Sequence, residues 1–369
     1  MRGAAFAVAA VLATAAAVAA VAQAAKPGPE PQASPAAKIE GAVAKPGVLD
    51  AARLASLPIA ARKVKTSGAD GAYRASVELR GAGLRDLLDA ADVRKTTDDG
   101  FNRPLDTLVE VVGAKGEKAV FSYGEIFLGR DPQRVVVAAA RRFVWPHHHA
   151  DVGFDGAAFR GADEELPPAA AGCANCHDGK ARPALDAPRG IVVADSGDLW
   201  PARFVEDVVS IRVRQAGVAL DKAKAKKDAR AESAALVGPN GPAAALGAKE
   251  FARFAPRSWR EASFGEGRGY RGVHVWRGAD LADVVRPLLP KGADPRRVFV
   301  LVTAADGYRS AFSGTEVFFP TGSPVLLADA CDGKPLDGGA GRSAAVATGD
   351  FYVDRGVRPG SGVRLSTPA

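Results

Sequence analysis

The chain has 369 residues, which allows two domains, and 47% of them are hydrophobic, enough to build real cores. The 25% charged content is ordinary for a folded protein and excludes a charge-dominated disordered chain. The net charge of +7 is modest, and the basic residues are scattered rather than striped with aromatics, so the pattern excludes a nucleic-acid footprint.

Residues 1–25 read as an export signal: Arg2, then an apolar run from Phe6 to Val21, then Ala22-Gln23-Ala24 as the cleavage site. The run is short and alanine-rich, which favours cleavage over a retained anchor, and no other stretch approaches a membrane span. The expectation is a mature chain with no stable membrane insertion, in the periplasm or otherwise exported. Residues 26–37 form a Pro-rich leader. From Tyr73 to Leu79 the pattern alternates as a strand does, and Leu84 to Ala91 predicts a short helix.

An internal repeat sets the architecture. RGAGLRD at 80–86 matches RGADLAD at 277–283, and VEVVGAKGEKAVFSYGEIF at 109–127 matches VLVTAADGYRSAFSGTEVF at 300–318. Phe121 aligns with Phe312, Ser122 with Ser313 and Glu125 with Glu316. Gly197-Asp198 falls on Gly349-Asp350, and Arg203 on Arg355. The expectation is a strand-rich α+β protein of two tandem copies, 38–221 and 249–369, joined by a linker at 222–248. The linker reading rests on the Lys-, Ala- and Asp-rich run at 221–235 and the breaker Pro239-Asn-Gly-Pro242.

The segments Gly278-Ala-Asp-Leu281, Ala305-Asp-Gly307-Tyr308, Pro324-Val-Leu-Leu-Ala328, Asp332-Gly-Lys-Pro-Leu336 and Gly349-Asp350 resemble the molybdopterin-binding domain of the sulfite oxidase family. The resemblance implies that domain's fold for both copies. It also implies a metal held through a cysteine in an early loop, and neither copy has one, which argues against bound molybdopterin. Cys331 lies late, in a hairpin-like turn, and reads as a buried or half-buried thiol.

The first copy carries an excursion at 141–189 where the second has about a dozen residues. It contains WPHHH at 145–149 and CANCH at 173–177. Cys173, Cys176 and His177 match the Cys-x-x-Cys-His pattern that attaches haem c. Two thiols at that spacing can add to the two vinyl groups along one side of the porphyrin, and the adjacent imidazole reaches the iron. The stretch resembles the attachment site of c-type cytochromes. A zinc site using one further histidine, or a redox dithiol, stays open as an alternative.

The only methionine is Met1, inside the signal, so His/Met ligation within the mature chain is excluded. Of five histidines, His177 is proximal; His147, His148 and His149 share its excursion, and one of them is expected as the second axial ligand. A surface metal trap, or the wall of a five-coordinate site, is the other use of that triplet. His274 reads as an ordinary strand residue. The expected function is an exported mono-haem c-type cytochrome, carrying electrons to a redox partner protein or sensing redox state or a gas, with no catalytic residue assigned. The alternative is a sulfite-oxidase-like molybdopterin oxidoreductase that passes electrons to its own haem c.

Overall fold

The computed structural model describes residues 36–67, 73–95, 101–144, 160–161, 190–198, 203–216, 233–336, 343–357 and 360–367. The first half begins with β1 (Ala37–Gly41), β2 (Gly47–Leu49) and α1 (Ala51–Ala55). Next come β3 (Ile59–Ser67), β4 (Tyr73–Gly83), α2 (Leu84–Ala91), β5 (Thr107–Gly113), β6 (Lys118–Ser122) and α3 (Tyr123–Phe127). It closes with β7 (Val135–Phe143), β8 (Arg160–Gly161), β9 (Val192–Asp195) and β10 (Val208–Gln215).

The second half opens on β11 (Ala234–Gly238), β12 (Gly241–Leu246) and α4 (Ala248–Phe251). β13 (Arg257–Gly265), β14 (Gly269–Asp280), α5 (Leu281–Val285), β15 (Phe299–Ala304), β16 (Arg309–Ser313) and α6 (Gly314–Phe318) follow. β17 (Val325–Cys331), β18 (Lys334–Pro335), β19 (Ala344–Ala347) and β20 (Gly360–Ser366) complete it.

The halves trace the same strand order. One sheet runs β2-β1-β10-β5-β6 and its counterpart β12-β11-β20-β15-β16; the other runs β3-β4-β7-β8 with β9 on β7, and its counterpart β13-β14-β17-β18 with β19 on β17. In each half the first strand pairs in parallel with the last, β1 with β10 and β11 with β20. The repeated Arg-Gly-Ala motif has a packing cause: a Cβ on Gly81 would stand 2.0 Å from Val137 O, and one on Gly278 2.2 Å from Leu327 O. Only glycine lets these paired strands approach so closely. At the helix that follows, Leu84, Leu87, Leu88 and Ala91 bury one face, as the sequence spacing predicts.

β5 and β15 explain why the halves stay together. Val109 and Val111 face the core of the first half, and Val300 and Val302 that of the second. The alternate residues Leu108, Phe299 and Leu301 join Val120 and Ala311 in a separate cluster between the halves. Strands covered on both faces read as near-continuous apolar runs, which is how both segments look in the sequence.

Three boundaries differ from the sequence reading. Ala37, assigned to the leader, belongs to β1 and is buried. Residues 234–246, assigned to the linker, form the β11–β12 hairpin, and Pro239-Asn240 is its turn. Small alanine side chains and an exposed β12 leave no alternation to read, and Pro242 sits beside an irregularity in the pairing, where an edge strand tolerates it. The excursion does not start at 141, because Arg141–Phe143 continue β7. Arg141 is buried and pairs with Glu206, and Arg142 reaches Glu78. Moreover β8 pairs back on Ala140 and Arg141, as β18 pairs on Ala330 and Cys331. The first half therefore carries two long segments, 144–159 and 162–189, where the second has the turn Asp332-Gly333 and residues 337–342. Among the described residues no helix is long and apolar enough to cross a membrane.

Candidate functional site

The richest cluster of chemistry among the described residues lies where the halves meet. α3 and α6 are single turns, each started by a capping box. Ser122 Oγ accepts the Glu125 N–H at 3.1 Å and Glu125 Oε1 accepts the Ser122 N–H at 2.7 Å. Ser313 and Glu316 repeat the pair at 3.1 and 3.2 Å. Each glutamate also takes an arginine of its own half: Arg203 Nη1 donates to Glu125 Oε2 at 2.7 Å, and Arg355 Nη2 pairs with Glu316 Oε1. Each guanidinium lies over its own half's phenylalanine, Arg203 over Phe121 at 4.5 Å and Arg355 over Phe312 at 4.7 Å.

The same arginines cross the boundary. Arg355 Nη1 donates to Ser122 Oγ at 3.0 Å, and Arg203 Nη1 reaches Ser313 Oγ at 3.4 Å. Ser122 Oγ in turn donates to Glu316 Oε2 at 3.1 Å. Further carboxylates close the network: Asp195 and Asp198 on Arg203, and Asp350 on Arg355 at 2.8 and 2.6 Å. The halves differ around Arg134. Arg134 bridges Glu125 and Asp195 at 3.2 and 2.9 Å, and the matching register positions of the second half hold Pro324 and Ala347. A cleft of about 180 Å³ opens over the network, with Arg130, Asp131, Thr321 and Ser323 on its wall.

Arg134, Arg203 and Arg355 thus face Glu125, Asp195, Asp198, Glu316 and Asp350, an excess of buried negative charge. Burial pushes Asp350 up to about 6, and Arg355 offsets only part of that; Asp198 is raised for the same reason. For Glu125 burial acts in the same direction, but Arg203 and Arg134 outweigh it and hold the carboxyl below its ordinary range. Burial would lower Arg355, yet Asp350 and Glu316 keep it above its ordinary value and charged. Among the described residues on the cleft there is no imidazole, thiol or amine. The arrangement can fix the two halves in register and hold a proton on Asp350.

A pH dependence follows from Asp350. Its folded value lies above the ordinary 3.8, so the folded state binds more protons than the unfolded chain between about pH 4 and 6. Its contribution to stability is full below pH 4 and is lost as pH rises to about 6, on the order of 2–3 kcal/mol in total. Urea unfolding of wild type and Asp350→Asn across pH 3.5–8 should show this slope in their difference; a difference flat with pH would contradict it.

Cys173, Cys176, His177, His147, His148 and His149 all lie outside the described residues. The histidine segment leaves at Val144 and returns at Arg160, and the cysteine segment leaves at Gly161 and returns at Gly190. That is the far end of β7 from the cleft, since Val135 starts the strand beside Arg134 and β8 pairs at Ala140. The run from Val135 to Ala140 spans roughly 17 Å. His274 lies on β14, as its strand pattern predicts, with Nδ1 2.8 Å from Asp332 Oδ2. Cys331 ends β17, half-buried. The internal repeat marks the serines, glutamates, aspartates and arginines of the network, but not their meeting. The signal that could have found the two helix starts is Ser-x-x-Glu, repeated after Phe121 and Phe312.

No protein-family profile and no curated protein matches this chain. Among solved structures, the sulfane dehydrogenase SoxCD from Paracoccus pantotrophus is similar at 11% identity and a TM-score of 0.29, over 90% of this chain and 77% of that one. A likeness this weak bears on neither fold detail nor function.

Proposed function

We propose that the protein is an exported mono-haem c-type cytochrome, built on a duplicated scaffold that resembles the molybdopterin-binding domain of the sulfite oxidase family. It carries single electrons to a redox partner protein, or senses redox state or a gas. One observation carries the reading: Cys173, Cys176 and His177 stand in the segment 162–189, which the second half replaces with the much shorter 337–342. The donor set fits the group. Two thiols supply the covalent links, and His177 the first axial ligand. When bound, the haem supplies the one-electron chemistry; the chain's own residues fix its position and its exposure to solvent.

The cleft between the halves supports a carrier over an enzyme acting on a substrate. Its buried arginines Arg203 and Arg355 are each engaged by two or more carboxylates, which disfavours an oxyanion there. Molybdopterin does not fit the donors present. The chain's three cysteines are the two of the haem motif and Cys331, and Cys331 sits at the β17–β18 hairpin rather than in an early loop. Protein made in a host that matures c-type cytochromes should keep a haem-stained band after denaturation, and Cys176→Ala should weaken or abolish it. A wild-type band with no stain would overturn the proposal.

A further inference from the structure

The hairpin that replaces the histidine-bearing segment of the first half carries chemistry of its own. β14 and β17 pair Trp276 with Cys331, and Asp332-Gly333 turns the chain into β18, where Lys334 pairs back on Cys331. Both turn residues are in the left-handed region, with φ of 52° and 75°, the pattern of a tight two-residue hairpin. Asp332 is fastened to β14: its N–H donates to Val275 O, its Oδ1 accepts the Val275 N–H, and its Oδ2 lies 2.8 Å from His274 Nδ1. Cys331 Sγ lies 3.8 Å from the same Oδ2. One donor atom from each of His274, Cys331 and Asp332 falls within 4.8 Å of the others. Beside them Trp276, its ring 6.2 Å from that of His274, is buried and its indole N–H donates to Glu261.

We propose that His274, Cys331 and Asp332 form a binding site for a borderline divalent cation, zinc by donor chemistry, with a fourth position open to water. Imidazole, thiolate and carboxylate are the three ligand types zinc takes, and three protein ligands with one open position is its common solvent-accessible form. Tetrahedral zinc with bonds near 2.0–2.3 Å needs ligand atoms about 3.3–3.6 Å apart. The observed 2.8 and 3.8 Å lie on either side of that spacing, and the third pair, His274 with Cys331, lies within 4.8 Å. Zinc would take the Nδ1 lone pair of His274, whose ring proton then sits on Nε2, and would displace the proton of the Cys331 thiol to solvent. The Val275 N–H would keep the carboxylate oriented from behind. His274 is 31% exposed and Asp332 47%, so an ion has a way in.

The site belongs to the second half alone. The register positions matching Trp276 and Cys331 are Leu79 and Arg141, and those matching His274 and Asp332 are Val77 and Arg142. The duplicated corner has thus taken different chemistry in each copy. The site stands independently of the haem.

The test reads Cys331 itself, so zinc bound elsewhere does not interfere. The full chain is alkylated with iodoacetamide across a titration of Zn²⁺ carried to several equivalents, and the Cys331 peptide is followed by mass spectrometry. Only the free thiolate reacts, so zinc should slow its labelling about tenfold or more, while Mg²⁺ leaves it unchanged. His274→Ala and Asp332→Asn should each raise the zinc needed for half protection by about 10–100-fold. Asp332→Asn keeps an acceptor for the Val275 N–H, so the turn survives. Equal labelling of the wild type with and without zinc would overturn the proposal, as would protection undiminished in both variants.

Discussion

Replacing Arg355 by alanine is expected to lower the unfolding free energy at pH 7 by about 3–5 kcal/mol. Arg355 is 1% exposed, and its guanidinium is shared by Asp350, Glu316 and Ser122 of the opposite half. Removing it leaves two carboxylates facing each other away from water, a larger cost than the lost hydrogen bonds alone. The loss should shrink toward pH 5, where Asp350 takes a proton and no longer needs a cation. A second substitution tests the crossing itself. A Cβ on Gly124 would stand 2.1 Å from Arg355 Cδ, so Gly124→Ala must push the arginine out of its place. Gly124→Ala should therefore be costly in the wild type and mild in the Arg355→Ala background, a strongly non-additive pair. Urea unfolding of the four proteins measures it. Additive losses, or an Arg355→Ala loss under about 1 kcal/mol, would contradict the assigned role.

Replacing His147, His148 and His149 together by alanine is expected to convert the iron from low-spin to high-spin and to let carbon monoxide bind readily. Met1 is the only methionine of the 369 residues, and His274 already has its Nδ1 held by Asp332 in the other half of the molecule. An imidazole that lies near the iron and stays unliganded would need other partners for its nitrogens, so ligation is the favoured use. Bis-His ligation also sets the potential below that of His/Met cytochromes, because thioether ligation raises it and imidazole does not. Absorption spectra before and after reduction under carbon monoxide decide the matter. A wild type already high-spin, binding the gas at once, would refute bis-His ligation and favour gas sensing or peroxidase-like chemistry over electron carriage.

The sequence reveals the fold where residues repeat under the same packing demand. Gly81 and Gly278 recur because the paired strands leave no room for a Cβ, and Ser122-x-x-Glu125 recurs as Ser313-x-x-Glu316 because each starts a helix turn. It hides what depends on distant partners. Arg355 and Ser122 are 233 residues apart, and no local pattern announces that they meet. Asp350 sits in a Gly-Asp turn, which reads as exposed, yet it is buried because the opposite half covers it through the Gly129 bridge. Arg141 and Arg142 look like the start of a surface loop; their long side chains instead carry charge to Glu206 and Glu78 from inside a strand. The β11–β12 hairpin stays hidden for the opposite reason, since its alanines are too small to mark a face.

The covalent haem is tested most directly by a pyridine haemochrome spectrum of the purified full chain, made in a host that matures c-type cytochromes. One haem per chain is expected, with the α band of a haem whose two vinyl groups are both saturated, and a colour that acidic acetone does not extract. A colourless protein that holds zinc through Cys173, Cys176 and His177 would contradict it.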